Sequence, residues 1–176
     1  MADDRVYLVG FMGSGKTTVG QRLAARRNVP FVDLDAALES MTGHTIRETF
    51  ESRGEQWFRE REAELLKGTA SLPEAVVALG GGTFVFPENA AFVKRHGVSF
   101  FLDVPFEVIL ERLGGKTADR PLFTSIEEAR ALYQSRLPFY RMADWTIAVS
   151  RLSTADEVVD HLEEILGGTR RPGGAR

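Results

Sequence analysis

Cysteine is absent from this 176-residue chain. That excludes a disulfide framework, a thiol nucleophile and a Cys-ligated metal, and it agrees with a reducing cytosol. Histidine is scarce. His44, His96 and His161 share no ligand spacing and read as turn or surface residues. No apolar run approaches the ~18 residues that a membrane span requires. The opening Met-Ala-Asp-Asp-Arg is acidic and polar, unlike a secretory signal. An excess of one charge is also lacking. The formal net charge is -3, so nothing draws the whole molecule to nucleic acid or an anionic membrane, and any anion must be held locally. The expectation is a soluble cytoplasmic protein with no nucleic-acid and no membrane partner.

What is present fits a single domain with a buried core. Hydrophobic residues make up 43% and charged residues 27%, the usual balance of a globular fold. No internal repeat is visible. Short apolar runs at Val6–Val9, Phe31–Val32, Val76–Leu79, Val98–Leu102 and Trp145–Val149 read as strands. Several are continuous rather than alternating, as in parallel strands covered on both faces. Helix signals lie between them. Thr45–Glu48, Ser125–Glu128 and Thr154–Glu157 match the capping box, in which side chains satisfy free backbone N–H groups. Pro87 and Pro105 suit first helical turns. Gly43, after Leu34, Leu38 and Met41, reads as a C-cap. Gly54 suggests a break between two helices. The order β-α-β-α-α-β-α-β-α-loop-α-β-α predicts an α/β fold with a parallel sheet and right-handed crossovers. Residues 1–166 form the expected domain. The glycine-opened segment of about 114–125 reads as a mobile lid, and 167–176, rich in Gly, Arg and Pro, as a disordered tail.

Gly10-Phe-Met-Gly-Ser-Gly-Lys16-Thr17 matches G-x-x-x-x-G-K-[ST] in full, after a strand and before a helical pattern. Glycines let the main chain wrap phosphate closely, and successive N–H groups at a helix start point at the anion. Gly13, Ser14, Gly15, Lys16, Thr17 and Thr18 are therefore the candidate nucleotide cradle. Lys16 brings positive charge to the β- and γ-phosphates, and the Thr17 hydroxyl is placed to ligate Mg²⁺. The match does not name a reaction. There is no N-K-x-D guanine-reading motif and no D-x-x-G switch, and the chain is short for a motor, so a compact kinase is favoured.

Four further features sit around this cradle. Asp33-Leu34-Asp35 is read as ending the second strand, where i and i+2 share a face and strand ends line a ligand crevice. One carboxylate there can hold Mg²⁺, directly or through water, and the other can orient or deprotonate a hydroxyl. Alternatively either simply caps the next helix. Phe50, Trp57, Phe58 and Leu65 recur at helical spacing and read as packing. Arg59 lies beside that stripe, facing either ligand or solvent. Gly80-Gly81-Gly82 marks a close main-chain approach or a plain loop. Arg120-Pro121 sits in the lid, where an arginine over the γ-phosphate is worth roughly 10³–10⁵ in rate in related chemistry. Arg136 is read as ending the next helix, complementing its dipole or facing a ligand.

The combination of the P-loop, Asp33-x-Asp35, Phe50-x-x-x-Gly54-Glu55-x-x-Phe58-Arg59-x-x-Glu62, Gly80-Gly81-Gly82, Arg120-Pro121-Leu122 and Arg136-x-Pro138-x-Tyr140 closely resembles the shikimate kinase family, to about residue 166. The resemblance implies a three-layer α/β/α P-loop kinase fold like that of nucleoside monophosphate kinases, with a five-stranded parallel sheet in order 2-3-1-4-5. It implies transfer of the γ-phosphoryl of ATP to the 3-hydroxyl of shikimate, with Mg²⁺, by a monomer. Asp35 would hold ring hydroxyls and serve as base. Arg59 and Arg136 would clamp the carboxylate, with Gly81 contacting it through its N–H, and Gly80, Gly82, Phe50 and Phe58 would complete the pocket. Asp33 would order Mg²⁺ through water beside Thr17. Arg120 would be the lid arginine, and Arg112 would hold adenine opposite a residue after the last strand. Ser150–Ala155 carries no proline or arginine cluster marking that residue. The rival readings are a gluconate-type sugar-acid kinase and a nucleotide-regulated binding protein without catalysis.

Overall fold

A computed structural model of the chain describes residues 4–114 and 125–169. Five strands, β1 (Asp4–Val9), β2 (Phe31–Asp33), β3 (Glu74–Ala78), β4 (Val98–Asp103) and β5 (Trp145–Ala148), form one parallel sheet in order β2-β3-β1-β4-β5. Seven helices cover its two faces among the described residues: α1 (Lys16–Arg27), α2 (Leu34–Thr42), α3 (Ile46–Gly68), α4 (Pro87–His96), α5 (Phe106–Arg112), α6 (Ile126–Tyr140) and α7 (Ala155–Thr169). The three-layer expectation and the strand order hold.

The centre of the sheet explains its continuous apolar runs. Val6 pairs with Val76 on one side and Val98 on the other, and Leu8 pairs with Ala78 and Phe100. Tyr7, Leu8, Val76, Val77 and Phe100 are fully buried, because helices lie over both faces. Arg5 is also buried within β1. Its guanidinium donates to the carbonyls of His96 and Leu72, tying β1 to the ends of two neighbouring segments. The chain leaving β1 crosses toward β2, whereas the chain leaving β3 crosses β1 to reach β4. The loops after β1 and β3 therefore part company, and such a switch point opens a crevice at the strand C-termini.

Local signals act where expected. Thr45 and Glu48 exchange both capping-box bonds at the start of α3, as do Thr154 and Glu157 before α7, and Ser125 accepts from the Glu128 N–H. Gly43 ends α2 at φ 70°, and Gly54 interrupts α3 at φ 81°. Three expectations need correction. Strand β2 stops at Asp33, whose carboxylate accepts the Ala36 N–H at 3.2 Å and starts α2. Asp35 is thus in a first helical turn, not on a strand face. Arg136 does not end α6, which continues through Pro138 to Tyr140, because the buried Tyr140 ring is packed on Phe101 and anchors the last turn. Helix α7 runs on to Thr169, so Gly167 and Gly168 are helical. Most of the expected lid, including Arg120, and tail residues 170–176 lie outside the described residues.

Candidate active site

The cradle begins where β1 ends. Gly13 and Gly15 adopt φ 73° and 96°, left-handed values that suit glycine, and Gly15 is the cap from which α1 starts. Ser14 is buried, and its N–H donates to Phe11 O at 3.2 Å, tightening the loop. The Lys16 ammonium lies over the loop's own main chain, donating to Gly10 O at 2.8 Å and Phe11 O at 3.0 Å. Thr17 and Thr18 are on the first turn of α1, where Thr18 is exposed. The Thr17 hydroxyl donates to Asp33 Oδ2 at 2.6 Å while Asp33 Oδ1 caps α2. One carboxylate therefore caps α2 and at the same time accepts from the P-loop threonine. Residues 12–19, Asp33 and Asp35 line a cleft of about 630 Å³.

Arg112 and the segment after β5 form the far wall of that cleft. Arg112 Nη1 donates to Gly13 O at 3.3 Å and Ser14 O at 3.2 Å. Val149, Ser153, Thr154, Ala155 and Val158 complete this wall. Reading for proline or arginine after β5 misses these residues. A usable signal is the serine and threonine turn itself: Ser150 N–H donates to Ser153 Oγ at 3.0 Å, and Thr154 then caps α7.

The other end of the cleft meets the glycine run. Four side chains from three helices converge on three successive glycines. A Cβ on Gly80 would stand 2.8 Å from Asp35 Oδ1 and 2.5 Å from Glu62 Oε1. One on Gly81 would stand 3.3 Å from Arg136 Nη1 and 3.7 Å from the Met12 nitrogen. One on Gly82 would stand 2.6 Å from Arg59 Nη1. The run is a close-approach surface, not a plain loop. Neither arginine is a solvated helix charge. Arg136 is buried, with its guanidinium 5.9 Å from the Phe11 ring. Arg59 is enclosed by Phe50, Phe58 and Phe86 at 5.6, 5.1 and 5.4 Å, which pre-orients its planar fork. The two arginines lie outside the 630 Å³ cleft but beside its Met12 and Asp35 end.

Two supporting residues escape the sequence reading. Glu62, a motif residue with no role assigned from sequence, is 2% exposed and bridges Arg59 at 3.0 Å to the Thr83 hydroxyl at 2.7 Å. Its position three residues after Arg59 is a helix-pair signal. Phe86 carries no local signal beyond preceding Pro87. The chemistry assembled here is specific in kind. Oxygen donors and amides at a P-loop suit a nucleotide tail with its metal, and two fixed guanidinium groups beside a carboxylate suit a small hydroxylated acid.

A shikimate kinase family model matches residues 12–166. A shikimate kinase of Salinibacter ruber is 38% identical, with 96% of this chain and 87% of the relative covered. One from Caldanaerobacter subterraneus subsp. tengcongensis is 40% identical over 89% of this chain and 92% of its own length. Among solved structures, the shikimate kinase from Acinetobacter baumannii in complex with shikimate superposes with TM-score 0.86 at 36% identity, covering 96% of both chains. Motif, fold and the convergence on the glycine run agree with these likenesses: the chain belongs to the shikimate kinase family.

Proposed function

We propose that this chain transfers the γ-phosphoryl group of ATP to the 3-hydroxyl of shikimate, giving shikimate 3-phosphate and ADP. The observation that carries the reading is the meeting of Asp35, Arg59 and Arg136 on Gly80, Gly81 and Gly82, with the P-loop nitrogen of Met12 at the same spot. Charge for the nucleotide and charge for the acid are thereby held close to one carboxylate.

In this reading the P-loop amides, Lys16 and Arg112 bind the nucleotide, and Arg59 and Arg136 take the acceptor's carboxylate by paired N–H donors. Asp35 accepts from the ring hydroxyls and takes the proton of the attacking one. The hydroxyl oxygen bonds to the γ-phosphorus as the bond to the bridging oxygen of ADP breaks. Such transfer needs positioning and charge neutralisation more than covalent help. Thr17 and Asp33 are oxygen donors joined by a 2.6 Å bond at the start of α1, and so few protein ligands suit Mg²⁺, which takes its other ligands from water and phosphate. When bound there, Mg²⁺ neutralises charge on the transferred phosphates. Arg120, from the lid, completes that neutralisation. The protein works as a cytoplasmic monomer, a reading supported by the family resemblance and by a composition without cysteine. Among the described residues no helix is long and apolar enough to cross a membrane.

The test is an acceptor screen with Mg-ATP, coupling ADP release to a spectrophotometric readout, with shikimate and gluconate side by side. Turnover on shikimate is expected. Turnover on gluconate alone, or ATP binding without transfer to either acid, sinks the reading.

A further inference from the structure

Tyr140 carries a functional group that this mechanism leaves unused. Its side chain is 1% exposed, and its ring is packed on Phe101 with centroids 5.3 Å apart. Its hydroxyl donates to the carbonyl oxygen of Gly81, 59 residues away in sequence. Arg136, one turn earlier on α6, approaches the same hydroxyl closely enough to pull its pKa down by charge and by hydrogen bonding. Burial outweighs that pull and pushes the phenol up to about 12, so the group stays a neutral donor throughout the working pH range. A phenol oxygen offers one O–H and two lone pairs. It can therefore give its proton to Gly81 O while accepting from a guanidinium N–H.

Each partner needs such a tie. The Gly81 carbonyl belongs to the planar unit joining Gly81 to Gly82, and a run of three glycines resists rotation poorly. Arg136 Nη1 already lies against Gly81, 3.3 Å from where a Cβ would stand. We infer that Tyr140 is a positioning residue for the acceptor's carboxylate site, its hydroxyl yoking the Gly81 main chain to the Arg136 guanidinium so that both present one fixed set of donors. The inference rests on the proposed shikimate kinase reading and deepens it. Tyr140 touches no substrate; it acts through Gly81 and Arg136. The other tyrosine of α6 faces elsewhere. Tyr133 donates to Val104 O at 3.0 Å, and its ring meets Phe11 and Phe106.

The experiment is steady-state kinetics of Tyr140→Phe in the full chain, with shikimate, with its uncharged methyl ester, and with ATP varied in turn. KM for shikimate is expected to rise roughly tenfold, the cost of one lost hydrogen bond to a charged group, while KM for ATP stays within about twofold. The methyl ester offers no carboxylate to Arg136, so wild type and variant should use it equally poorly. That last comparison separates positioning from general damage to the fold. An unchanged shikimate KM overturns the inference, as does an equal penalty on the ester or a matching rise in the KM for ATP. Should Tyr140→Phe fail to fold, Tyr140→p-aminophenylalanine keeps an N–H for Gly81 O and offers Arg136 a poorer acceptor. A selective rise in shikimate KM then supports the inference, and wild-type KM overturns it. If the wild-type protein itself ignores shikimate, the functional reading falls first and this inference with it. If wild type uses shikimate and the variant matches it, only the inference falls.

Discussion

The glycine run offers a sharp test, because one methyl group there changes one thing. Gly82 sits at φ -101° and ψ -10°, a conformation that alanine adopts without strain. The backbone should therefore tolerate Gly82→Ala, and a stiffer unfolded chain contributes about 0.4–1 kcal/mol of stability. The added Cβ, however, would lie 2.6, 2.8 and 2.9 Å from Arg59 Nη1, Nη2 and Cζ. To reach an ordinary contact of 3.4 Å the nearer nitrogen must retreat by about 0.8 Å. Arg59 has little room to do so. Glu62 holds Nη1 at 3.0 Å, and three phenyl rings lie within 5.6 Å of the guanidinium carbon. A guanidinium displaced that far loses paired geometry toward a carboxylate, and a charge-assisted hydrogen bond is worth about 1.5–3 kcal/mol. KM for shikimate should rise roughly 10- to 150-fold, since each 1.4 kcal/mol is about tenfold. KM for ATP should hardly move, because the nucleotide cradle touches neither group. Coupled ADP assays give both constants, and thermal melting gives the stability. A variant with wild-type Tm and wild-type KM for shikimate would refute the placement of Arg59 as the clamp.

Three other perturbations address separate parts of the molecule. Lys16→Ala should abolish transfer without lowering Tm, because it removes charge at the phosphates and only the ammonium's bonds to Gly10 O and Phe11 O; substantial kcat in that variant contradicts the mechanism. Asp33→Asn keeps an N-cap acceptor for α2 but weakens the charge beside Thr17, so the Mg²⁺ concentration for half-maximal rate should rise about tenfold while Tm holds. A fall in Tm with unaltered Mg²⁺ dependence would leave Asp33 as a cap alone. Thr45→Ala should destabilise by about 1 kcal/mol and also flatten part of the acid limb of the stability curve. The Thr45 N–H and hydroxyl hold the Glu48 carboxyl below its ordinary range. Its contribution is therefore present above the unfolded-state pKa and fades as pH falls through the lower folded-state value. Parallel acid limbs for wild type and variant would exclude this cap from the pH dependence.

Why some of this is legible in the amino-acid order and some is not has a physical answer. Element order is legible because its signals are local. A capping box spans four residues, and a covered parallel strand declares itself by an unbroken apolar run, as Val6–Val9 and Val98–Leu102 do. The P-loop is legible for the same reason. Asp33 and Asp35 illustrate how a correct pairing can rest on the wrong geometry. A shared strand face requires both to be extended, yet Asp33 caps the helix that contains Asp35. They reach one cleft because the helix start turns the chain there. Arg136 fails for the opposite reason. Pro138 points locally to a helix end, and what carries α6 past it is Tyr140, buried against Phe101 and bonded to a loop 59 residues distant.

The same distinction explains which partners of Arg59 escape notice. Glu62 lies three residues on, within the reach of a helix pair, and could be found by spacing. Thr83, which fixes the other oxygen of that carboxylate at 2.7 Å, is 21 residues from it. Phe86, which meets the guanidinium at 5.4 Å, follows a short 3₁₀ turn, Thr83–Val85, beyond the glycine run. The run itself is legible as unusual, but three glycines in a row do not say what approaches them. Only when β3 is placed beside β1, with α2, α3 and α6 arriving from three directions, does each glycine acquire its own neighbour. Removing Arg59 or Arg136 should therefore relax the demand for glycine at its own position, Gly82 or Gly81, and leave the other two as strict. In an Arg59→Ala background Gly82→Ala should add almost nothing to the shikimate KM, whereas Gly81→Ala, which presses on Arg136, should cost as much as it does in wild type. Full additivity of Arg59→Ala with Gly82→Ala would mean that the glycine is required for some reason other than this contact.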